Sequence, residues 1–195
     1  MVAAHEITVE LDTNLKTLSE LLQNQWFNII EEFDLNDIYM IKKDFKESDS
    51  YLKKLSNCVI IRNWVYHNRH SEEILYKHKE YDENENITNQ FDVKCKIESI
   101  PEAKSLLEAI WYEECIKIFD HIFVYSNWED EFVVQHVNNK HIYIELEDHC
   151  SRTNKEYQSV EEMKTFIRWL NIPLKWENFF VKKAEIEMSE KYPNL

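Results

Sequence analysis

The chain has 195 residues, 44% apolar and 13% aromatic, which suffices to bury a sizeable core and excludes a disordered tail. Lys and Arg number 23 against 37 Asp and Glu, a net charge of −14 that repels phosphate backbones and excludes general nucleic-acid binding. Glycine is absent altogether, so Gly-rich phosphate loops are excluded and Asn and Asp must serve the turns.

No apolar run approaches the roughly 18 residues that cross a bilayer, so no membrane partner is expected. The start Met1-Val2-Ala3-Ala4-His5-Glu6 lacks the basic-then-apolar pattern of a signal peptide. Cys58, Cys95, Cys115 and Cys150 form no CxxC pair and read as four buried free thiols. These features together predict a cytoplasmic protein.

Residues 6–11, Glu-Ile-Thr-Val-Glu-Leu, alternate strictly and predict a half-buried strand with Ile7, Val9 and Leu11 on one face. Asp12-Thr13-Asn14 then signals a helix cap, and Leu15, Leu18, Leu21 and Leu22 predict an amphipathic helix to about Trp26. Short strands follow at 28–33, 37–44, 58–66, 73–80 and 91–97, separated by polar clusters at 46–50 and 82–86. Pro101 opens a second helix over 100–112, where its missing N–H is harmless. Three more strands are predicted at 115–125, 131–137 and 141–147, a third helix at 159–170 capped by Ser159 with Glu162, and a fourth over 177–191. Two similar halves of strands plus helix emerge. An antiparallel sheet of this kind, with helices on its apolar face, can close into a barrel whose polar faces point inward.

These residues resemble the CYTH domain, the triphosphate-tunnel fold of class IV adenylyl cyclases, thiamine triphosphatases and inorganic triphosphatases. Glu6-Ile7-Thr8-Val9-Glu10 sits where that family has ExExK. Asp37-Ile38-Tyr39-Met40 looks like D-x-Y-F, Val59-Ile60-Ile61-Arg62 like L-R-I-R, and Leu75-Tyr76-Lys77 like T-Y-K. In the second half, 118–125 falls where K-x-R-x-x-Y belongs, Gln135-His136-Val137 where D-x-V belongs, and Ile144-Glu145-Leu146-Glu147 matches F-x-E-I-E. The order of these motifs carries the likeness, and it implies one α+β domain over 1–195, an eight-stranded antiparallel closed tunnel barrel flanked by helices.

The resemblance implies a tunnel in which Lys and Arg bind a triphosphate or nucleotide and acidic residues hold Mg²⁺ or Mn²⁺. Carried over, Glu6, Glu145 and Glu147 are the expected metal ligands. Glu6, Arg62 and Lys77 are the expected catalytic groups, and Lys79 and Trp64 the ligand contacts, Trp64 stacking a base or thiazole ring. The rest departs from the pattern: Thr8 and Glu10 replace a Glu and the Lys of ExExK, Ile60 replaces the first Arg of L-R-I-R, Asp120 and Ile122 replace K-x-R, and Gln135 replaces the Asp of D-x-V. The residues 90–95 restore R-x-E-x-E in neither register. The expected lumen groups are then the acids Glu6, Glu10, Asp120, Glu145 and Glu147 against the bases Arg62, Lys77 and Lys79, the reverse of what a triphosphate requires.

Three functions follow as expectations. The first is a divergent tunnel without turnover, re-purposed for a ligand or a protein partner. The second is a surviving metal-dependent triphosphatase or cyclase, and the third a cation-stabilised binding module. Two further groupings read as surface: His136, His141, His149 and Cys150 match no compact zinc spacing, and His67, Arg69 and His70 with Lys77 and Lys79 suit a solvated hairpin. The six tryptophans read as core or helix–sheet packing, and the sequon at Asn86 carries no weight without a secretory signal.

Overall fold

The computed structural model describes residues 6–45, 49–67, 69–81, 87–150 and 152–193. The polar runs 46–48 and 82–86, with Asn86 of the sequon, lie outside the described residues. Eight strands are present: β1 Glu6–Glu10, β2 Asn28–Lys42, β3 Asn57–Tyr66, β4 Arg69–Tyr81, β5 Ile87–Lys96, β6 Tyr112–Ser126, β7 Glu131–Val137 and β8 His141–Glu147. Five helices accompany them: α1 Leu15–Asn24, α2 Tyr51–Leu55, α3 Ile100–Ala109, α4 Val160–Trp169 and α5 Lys183–Lys191. The strands form one sheet in the order β1-β8-β7-β6-β2-β3-β4-β5. The chain is α+β, with flanking helices, as expected. The described ladders run from β1 to β5 and include no pair that closes the sheet edge on edge.

The chain divides into two compact units, residues 1–34 with 120–181, and residues 35–119 with 182–195. In the first unit β1 and β8 pair antiparallel, with Glu6 opposite Glu147 and Thr8 opposite Glu145. Side chains alternate across a strand, so Ile7, Val9 and Leu11 face one way and join Leu18 and Leu22 of α1 with Met163 and Ile167 of α4 in a core. Each such side chain contributes about 1.5–3 kcal/mol by leaving water. The other edge of β1 is bonded as well. Thr8 N–H donates to Phe179 C=O, Val181 N–H to Thr8 C=O, and Lys175 N–H to Glu10 C=O. Residues 173–181 therefore lie along β1, and the tail expected to be helical from 177 becomes helix only at Lys183.

The second unit builds its core from Met40, Val59 and Ile61 packed against Ala103 and Leu107 of α3. β3 and β4 pair with Ile60 opposite Leu75 and Cys58 opposite Lys77.

Several expectations are corrected here. The predicted strands 28–33 and 37–44 are one strand, β2, and the helix α2 was not foreseen. Cys58, Cys115 and Cys150 are buried, but Cys95 is exposed. The tryptophan expectation fails most clearly, because Trp26 is 82% exposed and Trp128 83%. Trp26, Trp111 and Trp128 stand at φ 68°, 71° and 76°, the left-handed region that glycine would fill, which turns their indoles outward. Asn138, Asn139, Asn154 and Asn171, with His67, fill the other left-handed positions among the described residues, as a glycine-free chain requires.

Candidate functional site

In the first unit, alternation brings Glu6, Thr8 and Glu10 of β1 to the face opposite the core, together with Glu145 and Glu147 of β8 and Gln135 of β7. Carboxylate oxygens of Glu6, Glu145 and Glu147 all lie within 4.8 Å of one another. The Gln135 side-chain amide donates to Glu145 Oε2 at 3.0 Å. Gln135 thus donates to a carboxylate where the resemblance expected a metal-binding acid. Burial, helped by the charge on Glu147, pushes the carboxyl of neighbouring Glu131 up. Three carboxylates converging on one point are a donor set for a hard divalent cation such as Mg²⁺ or Mn²⁺. Among the described residues no other His, Cys, Asp and Glu group converges this closely.

Glu10 is committed elsewhere. It is 3% exposed, and its Oε1 receives His141 Nδ1 at 2.8 Å and Lys175 Nζ at 2.7 Å. Where the resemblance expects a cation on β1, this chain has an acid whose hydrogen-bond donors come from β8 and from residue 175. The grouping of His136 with His141 also dissolves, since alternation sends them to opposite faces, and His149 is paired at 4.0 Å with Glu156 at the surface.

The second unit holds the other expected site residues. Arg62 donates Nε and Nη2 to Asp37 at 2.7 and 2.6 Å, a bidentate pair whose side chains are only 16% and 9% exposed. Burial opposes the Arg62 charge, but the hydrogen bonds and charge of Asp37 outweigh it and hold the guanidinium above its ordinary range. The Arg62 guanidinium also lies 5.5 Å from the Trp64 ring centre, and the Trp64 indole N–H donates to Glu73 at 2.8 Å. Trp64 thus already has a cation over its ring and an acceptor for its indole.

On the same face as Arg62, alternation places Ile60 and Cys58 of β3 and Leu75 and Lys77 of β4. Ile60 is fully buried, Leu75 is 1% exposed and Cys58 3%. Burial pushes the Cys58 thiol up to about 11 against the nearby charges of Lys77 and Lys79. Cys115 contacts Met188 of α5 across 4.0 Å, and Lys191 Nζ and Tyr192 Oη donate to its backbone C=O. The wall on which phosphate-binding cations were expected is therefore largely apolar and packed. Lys77 and Lys79 remain half-buried on that face, while Asp120 belongs to the first unit, 7% exposed.

Asp37 is the site residue that reading the sequence missed, although it stands in the D-x-Y-F position that the motif comparison used. Lys175 carried no signal, because nothing local ties it to Glu10.

No family model matches the chain, and no curated protein does. Solved structures do. PH1819 from Pyrococcus horikoshii OT3 superposes with a TM-score of 0.69 at 17% identity, over 95% of this chain and 99% of that one. HpAC1 from Hippeastrum, an adenylyl cyclase candidate with a dominant triphosphatase activity, gives 0.61 at 13% identity, over 96% of both chains. A chain of the Schizosaccharomyces pombe Mediator head module gives 0.50 at 7% identity, over 85% of this chain and 90% of that one. At these identities the likeness is one of fold.

Proposed function

Starting from the CYTH-like fold, we propose that this chain is a divergent, non-catalytic member of that architecture, re-purposed as a cation-stabilised binding module. One observation carries the reading: Arg62 is tied to Asp37 beside a wall of Ile60, Leu75 and Cys58, where a triphosphate would require unpaired cations. The proposal treats residues 1–195 as one domain and includes closure of the sheet into a tunnel. Alternation supports closure, since the face opposite the core carries Glu6, Glu10, Glu145 and Glu147 in the first unit and Arg62 and Lys77 in the second. A cytoplasmic location belongs to the proposal too; no helix among the described residues is long and apolar enough to cross a membrane.

Glu6, Glu145 and Glu147 would hold Mg²⁺ or Mn²⁺, with Gln135 orienting Glu145. The bound cation would neutralise the converging carboxylates and supply Lewis acidity. Without a cationic cradle no phosphoryl group is positioned to use it. A protein partner is the ligand class this reading favours; a chain of the Mediator head module shares the fold.

A second reading, a divalent-metal-dependent triphosphatase or class IV adenylyl cyclase, is favoured by the carboxylate trio and by the triphosphatase activity of HpAC1. Thermal melts with Mg²⁺, Mn²⁺ and Ca²⁺, each with and without tripolyphosphate, ATP and thiamine triphosphate, separate the two. A ligand at 100 times its Kd adds about 2.7 kcal/mol. The proposal expects a shift with the cation alone, absent from the Glu145→Ala/Glu147→Ala variant, and no further shift with any triphosphate. A large added shift with a triphosphate favours the enzyme.

A further inference from the structure

We propose that the chain pairs with a second copy of itself through β5, the two strands running antiparallel with Asp92 of each opposite Lys94 of the other. β5 ends the sheet. At the sheet's other end the outer edge of β1 is already bonded to residues 173–181, so β5 carries the open edge among the described residues. Ile97 N–H donates to Glu72 C=O at 3.0 Å, one pair beyond Lys96 and Glu73 in the β4–β5 register. Bonded pairs alternate along an antiparallel ladder, so residues 91, 93 and 95 bond to β4, whereas Gln90, Asp92, Lys94 and Lys96 turn their N–H and C=O groups to the open side.

The side chains of β5 suit such a partner. Phe91, Val93 and Cys95 share the face of Tyr76 and Ile74, which pack against the core of the second unit, and Phe91 meets the Tyr76 ring edge-on at 6.0 Å. The apolar stripe thus runs past the core to the edge of the sheet, where Phe91 is 48% exposed and Val93 57%. On the other face Asp92 and Lys94 form an ion pair at 3.2 Å, open to solvent.

Charge selects both the occupant and the register. A two-fold axis makes the contact isologous, and paired side chains share a face, so the axis passes through one residue of β5 and its copy. Centred on Val93, it sets Asp92 against Lys94 of the partner subunit twice over and Phe91 against Cys95 of the partner subunit. The two Val93 residues then form a close pair without hydrogen bonds between them, while Asp92 and Lys94 exchange the backbone bonds. Centring on Asp92, Lys94 or Cys95 instead opposes like charges, and centring on Phe91 opposes no ionic pair. The strand is self-complementary about Val93, which makes a second copy the partner that this edge fits.

Sedimentation of the full chain at increasing concentration tests the pairing. A monomer–dimer equilibrium is expected, at least tenfold weaker in Lys94→Asp and in Asp92→Lys, each of which opposes like charges twice. Mixing these two variants should restore the dimer, because every Asp then faces a Lys. Both positions are exposed, so the variants should keep the wild-type circular dichroism. Disulfide cross-linking reads the register. Val93→Cys/Cys95→Ser, oxidised with diamide, should join two copies, since residues opposed without hydrogen bonds have Cα atoms about 4.5 Å apart. Phe91→Cys/Cys95→Ser should not, its two thiols lying four positions out of line. A wild-type chain still monomeric at about 100 μM, a dimer indifferent to Lys94→Asp and Asp92→Lys, no rescue on mixing, or cross-linking through position 91 rather than 93 would each overturn the proposal.

Discussion

Asp37→Ala is the most informative single substitution, because it removes the counter-charge of a guanidinium that is only 16% exposed. Asp37 accepts both hydrogen bonds of the bidentate pair, at 2.6 and 2.7 Å, and is itself 9% exposed in its side chain. Breaking such a buried pair leaves a desolvated charge and costs about 3–5 kcal/mol. That is a fifth or more of the roughly 5–15 kcal/mol that holds an ordinary domain together. Urea unfolding followed by circular dichroism at neutral pH should show the midpoint fall accordingly. The double variant Asp37→Leu/Arg62→Leu should recover most of the loss, since apolar residues replacing both partners leave no charge to solvate. A cost below about 1 kcal/mol for Asp37→Ala, the range of an exposed ion pair, would refute the view that Arg62 is locked.

Ile60→Arg, which restores the cation of the family pattern, should destabilise the chain by several kcal/mol, because the fully buried Ile60 offers no water to a charge; a melting temperature near wild type would mean that this wall opens. Trp26→Gly should stabilise by up to about 1 kcal/mol, the relief of a left-handed side chain less glycine's extra backbone entropy; a clear loss in a thermal melt would show that the exposed indole makes a contact that matters. Glu131→Gln should flatten the pH dependence of stability. The folded Glu131 carboxyl is held above its ordinary range by burial and Glu147, so its contribution is full below the unfolded pKa and is lost as pH rises through the folded one. Melting temperatures between pH 4 and 7 that fall equally in both proteins would contradict this.

The strands that alternate most clearly, β1 and β8, were legible because one buried face imposes a period of two. β2 was not, since Asp34 and Asn36 interrupt its apolar pattern; Asp34 is used by His121, an interaction between residues 87 positions apart. The helix α2 has five residues, too few to show a period. The acidic half of the candidate site was readable because Glu6, Glu145 and Glu147 lie on paired edges of neighbouring strands. Its basic half misled, because composition counts Arg62 as an available cation and only strand pairing reveals Asp37 against it. The tryptophans misled for a related reason: an apolar ring argues for burial, but in a chain without glycine three of them occupy backbone positions that face solvent.

The measurement that bears most directly on the central claim is phosphate release from tripolyphosphate, ATP and thiamine triphosphate by the purified chain with Mg²⁺ or Mn²⁺, beside its Glu145→Ala/Glu147→Ala variant. The account predicts identical, background rates from the two proteins with every substrate. Robust metal-dependent release by the wild type, abolished in the variant, would contradict it and establish a working enzyme.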